Sequence, residues 1–122
     1  MTPTNIKIAR GFVALKKFRW TPGMRALYFD GGPLDPQRVV ADDEGNGTLC
    51  PGPGAVPDIF DPATVGCLLS LVREAHGDPR IVAIPRGDNF FAVVYPGWRH
   101  RKATATGTSE AAALLAALQA AP

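Results

Sequence analysis

The chain has 122 residues, 46% of them hydrophobic and 20% charged, with a formal net charge of +2. That is the size and composition of one domain with a packed core, stable without a metal or a disulfide. No apolar run approaches the ~20 residues that span a bilayer, and the start of the chain lacks the apolar stretch of a secretory signal. A cytoplasmic protein with no membrane contact is expected, with Cys50 and Cys67 as two reduced thiols.

In chain order, Phe12, Ala14 and Phe18 alternate with Val13, Leu15 and Lys17, which predicts a strand over residues 11–19. Thr21-Pro22-Gly23 turns the chain, and a second strand follows over 24–30, so the two are expected to form a hairpin. Residues 37–41 and 48–50 flank Asp42-Asp43-Glu44-Gly45-Asn46-Gly47, where Asn-Gly suits the tight turn of a second hairpin. The same six residues resemble the start of a calcium loop, but Pro53 stands where a bidentate Glu is needed, so a turn is expected and no metal. Residues 51–57, rich in Pro and Gly, read as a connector without regular structure.

The second half begins at Asp61, a good N-cap, with Pro62 at the first helical position and Val65, Leu68, Leu69 and Val72 at helical spacing. Gly77 ends that helix after His76. Residues 80–85 and 89–95 are β-rich runs joined by Arg86-Gly87-Asp88, a hairpin. A third strand is expected over 98–106, and Gly107-Thr108 opens a final helix with Glu110 in its first turn and Ala111, Leu114, Leu115 and Leu118 as its apolar stripe. The fold class is α+β: an antiparallel sheet of N-terminal hairpins followed by a helix-strand-strand-strand-helix unit. Residues 1–122 are expected to form one domain, with a β-rich half (1–50), the connector (51–57) and an αβββα half (58–122).

Charge is segregated along this chain. Residues 1–29 carry Lys7, Arg10, Lys16, Lys17, Arg19 and Arg25 and no acid, a block of +6. Residues 30–61 carry Asp30, Asp35, Asp42, Asp43, Glu44, Asp58 and Asp61 against Arg38, a block of −6. The blocks can neutralise each other across a sheet or present faces to charged partners. Aromatic residues interleave with cations at Lys16, Lys17, Phe18, Arg19 and Trp20, and again at Trp98, Arg99, Arg101 and Lys102. Such a pattern can neutralise phosphates and stack bases; it is equally the pattern of a guarded edge strand.

No nucleophile elbow, phosphate-binding loop, Cys-x-x-Cys or paired His at helical spacing is present. The two histidines are His76, suited to a helix C-terminus, and His100. Cys67, mid-helix among Leu and Val, reads as a buried inert thiol. No catalytic residue and no cofactor is expected.

The element order of residues 61–121, with Gly107-Thr108-Ser109-Glu110-Ala111 at the start of the last helix, is similar to the double-stranded-RNA-binding domain. That family grips phosphates with lysines where this chain has Ser109, Glu110 and Ala111. Asp61-Pro62-Ala63-Thr64-Val65-Gly66-Cys67-Leu68-Leu69 together with Thr106-Gly107-Thr108-Ser109-Glu110-Ala111 resembles short phage and prophage proteins. The resemblance implies an accessory protein that binds and inhibits a host protein or protein-nucleic-acid complex, as anti-CRISPR proteins do. The acidic block, with Asp30, Asp35, Asp42, Asp43 and Glu44, suits such an inhibitor because its charge can imitate phosphate. The alternative is direct nucleic-acid binding through Lys16, Lys17, Arg19, Trp20, Trp98, Arg99, Arg101 and Lys102.

Overall fold

Thr2 accepts a hydrogen bond from the Asn5 amide (3.2 Å) and Pro3 follows it, so the chain opens with an N-capped helix, α1 (Pro3–Val13). The computed structural model describes residues 2–28, 37–38, 51, 54–87, 89–94 and 103–122. Its described residues form three helices and two small antiparallel sheets, an α+β fold. They fall into two compact units, Met1–Cys67 and Leu68–Pro122. No described helix is long and apolar enough to cross a membrane.

In the first unit, the end of α1 and the turns after it replace the strand expected over residues 11–19. Ala9 and Phe12 are fully buried, and α1 packs against β3. Alternation over a few residues mimics a strand, but Ile6, Ala9 and Phe12 recur every three positions, and a cap stands upstream. Burying Phe12 is worth about 1.5–3 kcal/mol, a gain open to a helix that turns one face inward.

Thr21 to Met24 makes the turn expected there, with Gly23 at φ +100. The strand β1 (Arg25–Tyr28) follows, without the partner hairpin expected N-terminal to it. β1 instead lies between β2 (Gln37–Arg38) and β3 (Ala55–Pro57), antiparallel to both, in the order β2-β1-β3. Leu27 faces Val56 and Tyr28 faces Ala55. β3 corrects the reading of 51–57 as an unstructured connector: Ala55, Val56 and Pro57 are all buried, and burial of that short apolar run outweighs the local Pro/Gly signal. The remainder of the second expected hairpin, 39–41 and 48–50, lies outside the described residues.

Helix α2 (Pro62–His76) starts as its sequence predicts. Asp61 Oδ2 accepts from the Thr64 amide (3.1 Å) and from the Thr64 hydroxyl (2.8 Å). Thr64, with no exposed surface, accepts in turn from the Arg25 amide at 2.8 Å, which fastens β1 to the helix start. At the other end, Gly77 at φ +67 donates to the Glu74 carbonyl and Asp78 donates to the Arg73 carbonyl, a Schellman ending.

The second unit adds β4 (Val82–Arg86), β5 (Phe90–Val94), β6 (Ala103–Gly107) and α3 (Glu110–Ala120). The sheet order is β4-β5-β6, antiparallel throughout, with Ala83 opposite Val93 and Val93 opposite Ala105. Central β5 buries Ala92, Val93 and Val94, and α3 packs on the sheet through Ala113, Leu114, Ala117 and Leu118. Ser109 caps α3 by accepting from the Ala112 amide at 3.1 Å. Gly107 is required where β6 meets α3: a Cβ there would stand 2.7 Å from the Ala112 carbonyl carbon.

Candidate functional site

The basic N-terminal block is the one candidate surface whose side chains the structure describes at length. Lys7 and Arg10 lie on one face of α1, opposite buried Ala9 and Phe12, because residues three apart share a helix face. The turns that follow α1 are held by Ala14 donating to Arg10 (3.1 Å), Leu15 to Phe12 (3.0 Å) and Phe18 to Leu15 (3.1 Å). They carry the chain on to Lys16 and Lys17. Lys7, Arg10, Lys16, Lys17 and Arg19 are all exposed. Lys17 and Arg19 are also engaged by other groups of the chain.

Arg25, the sixth cation of the block, does not belong to this surface. Its guanidinium lies 3.6 Å from the Asp58 carboxylate, and the Asp58 amide donates to the Arg25 carbonyl at 2.8 Å. Among the described residues, the basic and acidic blocks meet where Arg25 pairs with Asp58, beside β1 and β3. Asp61, the other described acid of the acidic block, is committed to capping α2.

Phe18 and Trp20 pack edge to face, their ring centroids 5.2 Å apart at an interplanar angle of 81°. Both are half-buried, while Lys17 and Arg19 between and beside them are exposed. The second aromatic and basic cluster, Trp98, Arg99, Arg101 and Lys102, lies outside the described residues, as do His100, Cys50 and the acids Asp30, Asp35, Asp42, Asp43 and Glu44.

The chemistry-bearing groups that are described have structural occupations. The His76 ring donates through Nε2 to the Ala117 carbonyl at 2.8 Å, and the Cys67 thiol donates to the Pro22 carbonyl at 3.6 Å. Cys67 is half-buried, which corrects its reading as a fully buried thiol. Among the described residues no group of three or more His, Cys, Asp or Glu is arranged to hold a metal. At the start of α3, Ser109 is occupied as the cap and Glu110 fills the first turn, so that end offers a negative charge to any approaching phosphate.

Lys7 and Arg10 were not among the site residues expected from sequence; the signal that places them there is the Thr2-Pro3 helix start. Phe60 was likewise not foreseen. It is 63% exposed, held outward where its amide donates to Asp58 Oδ1 at 3.1 Å. The neighbouring exposed Pro62 and Ala63 carry no charge, so this small apolar feature is chemically unlike the cationic surface.

No protein-family model matches the chain, and neither a curated protein nor a solved structure shows significant similarity to it.

Proposed function

We propose that this is a binding protein rather than an enzyme, and that its contact surface for nucleic acid is the exposed basic row of Lys7, Arg10, Lys16, Lys17 and Arg19. The observation that supports it most directly is the exposure of these five cations within one short segment that contains no acid. Exposed lysine and arginine placed close together release counterions when phosphates replace the ions around them, and that release drives association. The structural occupations of His76 and Cys67 favour binding over catalysis.

Binding isotherms on a DNA duplex over a range of salt test this reading. Affinity should fall with salt along a log-log slope of about −0.9 for each cation engaged. The triple variant Lys7→Gln, Arg10→Gln, Lys16→Gln should lower affinity at low salt and flatten that slope by roughly 3. Absence of salt-dependent binding by the unaltered protein overturns the proposal.

A second reading rests on the segregated charge and on the resemblance to phage and prophage proteins: an accessory protein that binds and inhibits a host factor, as anti-CRISPR proteins do. Affinity capture from bacterial lysate, with and without nuclease, separates the two. A stoichiometric protein partner that survives nuclease supports the inhibitor; material lost on nuclease treatment supports direct nucleic-acid binding.

A further inference from the structure

We infer that the basic surface reads phosphate alone, so that the nucleic acid it takes is duplex, bound without regard to sequence. The inference rests on the nucleic-acid reading above and concerns what the aromatic residues beside the cations do. A protein that holds single strands stacks bases on exposed aromatic faces set among its cations. Here the two kinds of side chain differ in exposure.

Along residues 17–20 exposure alternates: Lys17 exposed, Phe18 half-buried, Arg19 exposed, Trp20 half-buried. The ring contact draws Phe18 and Trp20 together, and the cations that alternate with them are the more exposed side chains. The edge-to-face contact takes up the edge of one ring and one face of the other, and both side chains are partly buried besides. The pair thus packs the segment following α1 on itself, with exposed cations beside it.

The helical part of the row has the same character. Lys7 and Arg10 lie three residues apart on α1, about 4.5 Å along its axis, and the aromatic residue of that helix, Phe12, is buried. Contacts confined to phosphates position a protein on the duplex and carry no direct sequence information.

The test uses the full chain with Trp98→Phe, which leaves Trp20 as the sole tryptophan reporter. A DNA duplex of about 20 base pairs and an oligo-thymidine of equal length are titrated at about 50 mM salt, where phosphate contacts are strong. The expected result is duplex binding at least as tight as single-strand binding, equal affinity for duplexes of different sequence, and Trp20 emission unchanged at saturation. Tighter binding of the single strand, or quenching of Trp20 on binding it, overturns phosphate-only readout and leaves the nucleic-acid reading standing. Failure of both nucleic acids to bind overturns the two together.

Discussion

Thr64 carries more of the fold than its size suggests. Its hydroxyl donates to Asp61 and accepts from the Arg25 amide, and the residue has no exposed surface. Replacing it with valine keeps the shape but strands the Arg25 amide without its acceptor. A buried donor left without a partner costs about 1–3 kcal/mol, so urea unfolding of Thr64→Val should show a loss in that range. A second prediction concerns Asp78, whose carboxylate accepts from the Arg80 side chain at 3.1 and 3.2 Å. Those bonds, then the one from the Arg80 amide, hold its pKa below the ordinary 3.8. A depressed folded-state value means that the ionised carboxylate contributes stability above about pH 3.8, and that this contribution fades as pH falls through the lower folded value. Carbon-13 titration of the Asp78 carboxyl should place its midpoint below 3.8 in the native protein and return it toward 3.8 in Arg80→Leu.

At the scale of elements, the two glycines of α2 and its cap are opposite cases. Gly66 lies inside the helix with nothing within 4 Å of where a Cβ would stand, whereas Gly77 holds φ +67 at the helix end. Gly66→Ala should therefore stabilise by about 0.5–1 kcal/mol through the unfolded chain. Gly77→Ala should destabilise by about 1–2 kcal/mol, since a Cβ resists the left-handed region. Denaturant midpoints should move in opposite directions, with little change in slope. α2 was legible in sequence because its signals are local: Asp61 and Pro62 at one end, Gly77 at the other, and an apolar spacing between. The β4-β5 hairpin and α3 were legible for the same reason. The α+β class and an antiparallel N-terminal sheet also followed from sequence. α1 was misread as a strand because short alternation competed with a cap several residues upstream. β3 was missed because what makes Ala55–Pro57 a strand is pairing with β1, a distant segment that leaves no local mark. The candidate surface was partly legible: all of its cations stood out in the basic block, and Lys16, Lys17 and Arg19 were singled out for their aromatic neighbours, while Lys7 and Arg10 took a place beside them once α1 set the period.

For the whole molecule, charge is the property with the widest consequence. The +6 of residues 1–29 is reduced locally where Arg25 meets Asp58, and exposed cations remain along α1 and beyond it. A basic surface of this kind raises the rate of encounter with polyanions as well as the affinity, and salt weakens both. Under the proposed function, the triple glutamine variant should slow association with duplex DNA at low salt and resemble the unaltered protein at high salt, a comparison made by stopped-flow anisotropy.

The way β1 is held also bears on the order in which the chain acquires its structure. The bond from the Arg25 amide to Thr64 joins residues 39 apart in sequence, and β1 must find β3 across a comparable separation. In the second unit each strand pairs with its sequence neighbour. Closing a longer loop costs more chain entropy before any contact repays it, and contacts between sequence neighbours form sooner. During refolding, pulsed hydrogen exchange should find the β5 amides protected before the Arg25 amide, so that the anchoring of the strand following the basic surface is a late event.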